Sequence, residues 1–286
     1  MIINLEYDNN ALLAPQSFRD GMQAAANAID AAFVDNITIN IAVGYGEFLG
    51  GLLDPNNPNN QNLSVGNIDY QGSLNSTVND GTGFNESYST LRALLASHAT
   101  SADDNTAVAN LPNTATLQGQ GVFTIGSAQA KALGLLAGNN GALDGAVGMG
   151  TAFTGDVLFN GALHELTHAM GRIAGDSLDL FRFNEDGSGN HVFGFGIPAT
   201  PAYFSIDGGA TKLADFGINS DPGDFLNTGI QGPDPFNETI GGASMTAADL
   251  TLMDVMGFTR SAASFQGPNG APNPDFNTDH KADLLW

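Results

Sequence analysis

The chain has 286 residues, 42% of them apolar, which is enough to fill a sizeable core in one large domain or two modest ones. Its formal net charge of −22, from 8 basic and 30 acidic residues, repels phosphate backbones and anionic lipid, and so argues against nucleic acid partners and membrane insertion. Cysteine is absent, which excludes disulfides and thiolate metal sites, so any metal must be held by His, Asp, Glu or main-chain oxygens.

Hydrophobic periodicity predicts both helices and strands. Apolar residues at three- and four-residue steps indicate the helices, and period-two alternation indicates the strands. In chain order, the sequence predicts a helix at 17–33, a strand at 37–43, a long loop that can hold one short strand at 52–87, helices at 88–98 and 127–136, a strand at 145–151, a helix at 157–170, a hairpin at 192–206 and a helix at 247–256. We expect the strand at 37–43 to be half-buried.

The start of the sequence carries no recognisable export signal. Residues 1–8 contain neither a basic stretch nor a long apolar core, which a secretory signal peptide requires. The Asn-, Gly- and Asp-rich composition without cysteine nevertheless resembles that of bacterial exoproteins that are exported by a C-terminal signal. We therefore expect a secreted, extracellular protein that uses a route without an N-terminal signal peptide.

The helix predicted at 157–170 contains the sequence HELTH at 164–168. On a helix, His164 and His168 project from the same side, so both imidazoles can bind one tetrahedral Zn²⁺. Glu165 lies one step round the helix, beside the metal without binding it, where its carboxylate can take a proton from metal-bound water. This spacing predicts a zinc site with hydrolytic chemistry and Glu165 as the catalytic base.

The nine residues from His164 to Arg172 resemble the zinc-binding helix of the metzincin metalloproteases. In that family a glycine three residues after the second histidine turns the chain, and here this residue is Gly171. The family's usual third ligand follows three residues later, where this chain has Ala174, which cannot bind a metal. The resemblance implies a bacterial zinc endopeptidase that acts on protein or peptide substrates. It also implies an α+β, zincin-like domain at residues 1–260, with a twisted mixed β-sheet and an active-site helix that floors a cleft.

The third metal ligand has several candidates. In leishmanolysin-like and related bacterial members of the family, the third ligand lies far downstream, shortly before an aromatic residue, and a Ser/Thr-x-x-Asp helix ending in Gly-aromatic follows. This chain has DPGDF at 221–225, TAAD at 246–249 and MGF at 256–258, so the resemblance implies Asp224 as the third ligand. On ligand chemistry alone, other residues remain open: Asp176, Asp179, His98, His191 and His280.

The last residues carry a second candidate metal site. Oxygen-bearing side chains occupy positions 1, 3, 5 and 9 of a loop, a spacing that suits Ca²⁺: Asp275, Asn277, Asp279 and Asp283. The segment through Trp286 resembles the start of an FG-GAP or VCBS-type repeat. This resemblance implies a linker and partial calcium-binding repeat at 261–286, and a larger C-terminal repeat region of the same protein as a partner. The alternative is a solvated acidic tail.

Two other functions remain open from the sequence. One is a calcium-dependent adhesion or scaffold module of an exoprotein with weak or no catalysis, because the family's usual third ligand is missing. The other is a protease that cuts its own chain to release a C-terminal region. Cleavage of substrate that a chelator abolishes would exclude a scaffold role alone.

Overall fold

The computed structural model describes residues 1–53, 62–68, 84–196, 201–219 and 221–262. The α-helices in these residues are α1 (Asn9–Leu13), α2 (Gln16–Ala32), α3 (Tyr88–His98), α4 (Ala102–Asn110), α5 (Ser127–Ala132), α6 (Gly155–Met170) and α7 (Ala247–Val255). The strands are β1 (Ile2–Tyr7), β2 (Thr38–Tyr45), β3 (Glu47–Phe48), β4 (Gly51–Leu52), β5 (Ser64–Ile68), β6 (Phe84–Ser87), β7 (Val122–Ile125), β8 (Gly145–Met149), β9 (Arg182–Asn184), β10 (Ala202–Phe204) and β11 (Ala214–Asp215). A 3₁₀ helix spans Ser177–Phe181. Together these elements form a mixed α+β fold.

A four-stranded sheet in the order β1-β2-β8-β5 forms the centre of the fold. Strands β1, β2 and β8 run parallel, and β5 pairs antiparallel with β8, so the sheet is mixed. The register aligns Val43 of β2 with Tyr7 on one side and Val147 on the other, and aligns Ser64 of β5 with Met149. Among the residues that the structure describes, no strand lies on the outer side of β5.

Helices α2 and α6 pack against each other and against the sheet. They meet closely at Gly21, where an added Cβ would lie 2.6 Å from Cδ2 of Leu158. Helix α2 buries Phe18, Met22 and Ile29, because its apolar residues recur every three or four positions and form one stripe. No helix in the described part of the chain is long and apolar enough to cross a membrane.

The chain around β3 covers the face of the sheet opposite α6. An added Cβ at Gly44 or Gly148 would lie 2.3 or 2.5 Å from the carbonyl oxygen of Glu47, so this cover lies directly on the strands. Strand β2 therefore buries one face fully, as predicted, and the other face is covered in part, since Asn40 and Gly44 are buried and Thr38 and Ala42 are half-buried. Asn40 is accommodated there because its side-chain amide donates to two main-chain carbonyl oxygens of the loop before β8.

Most of the predicted elements lie where the sequence places them, with ends that shift by a few residues. Strand β5 is a short strand within the segment 52–87, which was predicted to be a long loop that can hold one, and β6 forms a second strand at its end. The hairpin predicted at 192–206 was wrong, because residues 192–196 form no strand and β10 pairs with β9 and β11. The helix predicted at 127–136 ends at Ala132, and β1 and α4 were not predicted at all.

Candidate metal centre

Helix α6 ends at a glycine that turns the chain back towards the HELTH residues. Gly171 has a φ of 130°, a conformation that residues with a Cβ rarely adopt. The chain then returns so that the carbonyl oxygen of Arg172 accepts a hydrogen bond from Nδ1 of His168 at 2.6 Å. The carbonyl oxygen of Pro235 accepts one from Nδ1 of His164 at 2.7 Å. Each imidazole is thereby fixed through one of its two nitrogens.

The two imidazoles turn their remaining nitrogens towards each other. A carbonyl oxygen can only accept, so each neutral ring carries its proton on Nδ1 and leaves Nε2 unprotonated. The Nε2 atoms lie 3.0 Å apart, and both His164 and His168 are buried. Two buried acceptors at this distance repel each other unless a proton or a cation lies between them. Carbonyl-bonded histidines oriented in this way are typical metal ligands.

Asp224 brings a carboxylate to the same point. Its Oδ1 lies 3.2 Å from Nε2 of His164 and 2.9 Å from Nε2 of His168. The preceding turn holds it there, because the Asp221 carboxylate accepts a hydrogen bond from the N–H of Gly223 at 2.7 Å. Tetrahedral ligands at about 2.0–2.1 Å from zinc lie about 3.3 Å from one another. The three atoms are within a few tenths of an ångström of that spacing, so these residues fit a zinc ion.

A fully buried arginine fixes Asp224 from the opposite side. Nη1 of Arg172 donates to Oδ1 of Asp224 at 3.0 Å and to the carbonyl oxygen of Gly223 at 2.9 Å. Nη2 donates to the carbonyl oxygen of His164 at 3.1 Å, and the guanidinium lies 4.3 Å from the ring centroid of Phe236. Because these partners lie both in the turn of Gly223 and Asp224 and in α6, Arg172 ties the loop of Asp224 to the zinc-motif helix.

The charges of the centre shift each other's pKa values. Burial is the largest influence on His164 and disfavours its charged form, but Asp224 and Glu165 together raise the pKa of His164 above its ordinary value. Burial also acts to raise the pKa of Asp224, but His164 and His168 hold that pKa well below its usual range. Asp224 is therefore ionised at neutral pH and available as a ligand.

Glu165 lies beside these atoms at the floor of an open cleft of about 550 Å³. The cleft is bordered by β5 and the two residues before it, by α6 and the residues just before that helix, and by the loops at 221–224 and 238–240. Glu165 is buried, and its Oε1 accepts a hydrogen bond from Oγ of Ser64 at 2.5 Å. The other carboxylate oxygen, Oε2, is not engaged by Ser64.

Within the described ranges, strand β5 has no strand beside its outer main-chain edge, which runs along this cleft. The N–H of Gly150 donates to the carbonyl oxygen of Leu63 at 2.8 Å. Leu63 and Gly150, which directly follows β8, therefore form a hydrogen-bonded pair in the register of β5 with β8. Main-chain groups along an antiparallel strand point alternately to one side and the other. The N–H and C=O groups of Ser64 and Gly66 therefore point away from β8, where an extended peptide could pair with them.

Acidic and histidine side chains come together in two groups within the described residues. Each group places its ligand atoms within 4.8 Å of one another: His164, Glu165 and His168 in the first, and His168, Asp221 and Asp224 in the second. The structure thus brings Asp224 to the two histidines, as the resemblance implied. It also brings Asp221, which the sequence analysis did not single out although it belongs to the same DPGDF run.

The other candidate ligands lie outside both groups. Asp179 accepts a hydrogen bond from Arg182 at 2.6 Å, and burial lowers the pKa of His191 to about 4. Asp176 and His98 likewise belong to neither group. The structure therefore gives no support to these four residues as third ligand. The remaining candidates lie outside the described residues: His280 and the predicted calcium ligands Asp275, Asn277, Asp279 and Asp283.

Besides Asp221, two contributors to the centre were missed by sequence reasoning. Ser64 falls in a segment whose composition indicates a loop. Pro235 acts through its carbonyl oxygen, a group that every residue has, so its side chain gives no signal. Comparison with known proteins found no match: no protein-family model, no curated protein and no solved structure is significantly similar to this chain. The case for its function therefore rests on the geometry of the site.

Proposed function

We propose that this chain is a zinc-dependent endopeptidase with a zincin-like, metzincin-related catalytic domain. The observation that carries the proposal is the convergence of three buried ligand atoms, from His164, His168 and Asp224, beside Glu165 in an open cleft. Imidazole and carboxylate donors in this number suit a catalytic Zn²⁺ that keeps one position open. A carboxylate next to that position is what metal-assisted hydrolysis needs.

The chain's own residues divide the remaining tasks of hydrolysis. Zn²⁺ bound at the three ligands would polarise the scissile carbonyl and acidify the attacking water. Glu165 accepts a proton from that water at Oε2 and then donates it to the nitrogen of the leaving amine. One water is consumed, and the cut peptide is left with one new carboxylate and one new amine. Oε1 stays hydrogen-bonded to Ser64 throughout.

The open edge of β5 favours cleavage within a chain rather than at its end. An extended peptide that pairs with Ser64 and Gly66 uses its main-chain N–H and C=O groups, which every internal residue has. Pairing of this kind needs no free amino or carboxyl terminus. It also presents the peptide close to Glu165, because Ser64 contacts that side chain directly.

Metal content and proteolysis measured on the same preparations test the proposal. We expect the parent protein to bind about one zinc per chain, as a single catalytic site requires, and to cleave casein and internally quenched peptides until a chelator is added. Glu165→Ala should keep the zinc and lose cleavage, because the base binds no metal. The matched control is Glu185→Ala, which removes an exposed acid outside the cleft, and it should cleave as the parent does.

Two results would count against the proposal. A Glu165→Ala protein that cleaves as fast as the parent would show that this carboxylate is not the base. A parent that binds zinc but cleaves no protein or peptide would favour the adhesion or scaffold role instead.

A further inference from the structure

Ser64, the first residue of β5, contacts Glu165, the base of the proposed reaction. Its Oγ donates to Oε1 of Glu165 at 2.5 Å, a short, charge-assisted hydrogen bond. Glu165 is only 4% exposed, so water competes little for this contact. Two residues further along the strand, an added Cβ at Gly66 would lie 2.2 Å from the carbonyl oxygen of Glu165. Strand and helix therefore touch at both the side chain and the main chain of the same residue.

We propose that Ser64 is a positioning residue for Glu165, which it holds by Oε1 so that Oε2 faces the attacking water. This inference rests on the proposed function. A glutamate side chain has three rotatable bonds and a broad terminal torsion, so its carboxylate needs a fixed partner to keep one orientation. Orientation matters because misplacing a catalytic group by about 1 Å can cost roughly 100-fold in rate.

The same residue also belongs to the edge on which a substrate would dock. The main-chain N–H and C=O of Ser64 point away from β8, while its side chain reaches Glu165. A peptide paired with β5 therefore bonds to the residue whose hydroxyl aligns the base. Docking of the peptide on β5 and alignment of the Glu165 carboxylate therefore both depend on Ser64.

Two nearly isosteric variants separate the hydroxyl from the shape of the side chain. Ser64→Thr keeps the hydroxyl, and Ser64→Val replaces it with a methyl group; both are β-branched and suit a strand. We expect Ser64→Thr to keep kcat within about threefold of the parent and Ser64→Val to lose about 10- to 100-fold in kcat, with KM little changed in either. Zinc content should be equal in both, because Ser64 binds no metal. Ser97→Ala, which removes an exposed hydroxyl on α3, is the control for loss of a serine and should match the parent.

Crystal structures of the zinc-loaded variants add a readout that does not depend on turnover. The Glu165 carboxylate should keep its place in Ser64→Thr and be rotated, or divided between two orientations, in Ser64→Val. Equal kcat in the two variants with an unmoved carboxylate would overturn the positioning role. A parent that binds zinc and cleaves nothing would overturn the proposed function instead, and the two crystal structures would still decide whether Ser64 holds Glu165.

Discussion

The ligand atoms of the candidate centre are each oriented from behind by a group that does not bind metal. The carbonyl oxygens of Pro235 and Arg172 hold the rings of His164 and His168, and the guanidinium of Arg172 holds Asp224. All three contacts are made by protein groups, so they fix the ligand side chains from the side that faces away from a bound metal.

Replacing Asp224 with asparagine should weaken zinc binding. Asparagine keeps the size of the side chain, but it removes the anionic oxygen and leaves the positive charge of Arg172 uncompensated beside the two histidines. We expect zinc affinity to fall by more than about 100-fold, because the loss of an outer-shell partner alone costs about 10- to 100-fold. Competition with a chromogenic chelator measures this affinity.

Asp221→Asn is the matched control for that variant. It lies three residues earlier in the same loop, and asparagine can still accept the hydrogen bond from the N–H of Gly223. Its zinc affinity should stay close to that of the parent. If Asp221→Asn loses zinc and Asp224→Asn keeps it, the ligand is Asp221.

The sequence could indicate the candidate metal ligands but not the groups that orient them. His164 and His168 are recognisable because their side chains suit a metal and their spacing matches a helical turn. Asp224 required a resemblance, since an acid in a turn is common. The contribution of Pro235 depends only on where its main chain lies, and that position is set by the whole loop rather than by the residue type.

Strand β5 packs so closely against α6 that a single added methyl group would push the two elements apart. An added Cβ at Gly66 would be 2.2 Å from the carbonyl oxygen of Glu165 and 3.0 Å from Cβ of His168. The absence of a side chain at this position therefore sets the distance between the edge strand and the HELTH residues. The width of the cleft at its floor depends on that distance.

We expect Gly66→Ala to lower the free energy of unfolding by about 1–3 kcal/mol, because the added methyl overpacks the contact between strand and helix. Cleavage should fall as well, since the strand can relieve the clash only by moving away from Glu165. Urea unfolding and peptide cleavage on one preparation measure both effects. Gly141→Ala, where an added Cβ meets no heavy atom within 4 Å, should behave as the parent does. Equal stability of the two variants would mean that the strand moves without cost.

Composition allowed a short strand within 52–87 but could not locate β5, for a physical reason. Residues 64–68 include serine, glycine and asparagine, which are typical of loops. Here Gly66 permits the close approach to α6 and Ser64 reaches Glu165, so both residues suit contacts at the site rather than an apolar face. The strands at 38–45 and 145–149, which bury apolar side chains in the centre of the sheet, lay close to where the sequence predicted them.

At the scale of the whole molecule, Asp254 joins three distant parts of the chain. It lies near the end of α7, where its carboxylate accepts hydrogen bonds from Oγ of Ser101 at 2.7 Å and from the N–H of Arg260 at 3.1 Å. Ser101 begins α4. Burial, and then the negative charge of Asp104, raise the pKa of Asp254 to about 7. The Asp254 carboxyl group therefore loses its proton and becomes negatively charged near neutral pH.

The contribution of Asp254 to stability should fall as the pH rises from about 4 to 7, opposite in sign to that of His191, whose pKa burial lowers to about 4. An unfolded aspartate loses its proton near pH 3.8, whereas folded Asp254 keeps its proton to about pH 7, so the folded state binds more protons in this window. The contribution of this group to the free energy of unfolding therefore falls across the window and is constant above it. Thermal unfolding midpoints at about pH 5 and about pH 8 measure the change.

Asp254→Asn should reduce that pH dependence. Asparagine cannot ionise, yet its oxygen can accept from Arg260 and its amide can donate to the hydroxyl of Ser101. Asp20→Asn, an exposed change on α2, is the control and should follow the parent. The same pH dependence in the parent and in Asp254→Asn would assign the effect to another group.

The parts of the metal centre are far apart along the chain, and this has a consequence for synthesis. Asp224 follows His168 by 56 residues, and Pro235 follows His164 by 71. At ribosomal rates of roughly 5–20 residues per second, the helix is made roughly 4–14 s before its last orienting group exists. A nascent chain therefore cannot hold a metal as the finished protein does. Under the proposed function, hydrolysis would begin only after the loops that carry Asp224 and Pro235 have been made.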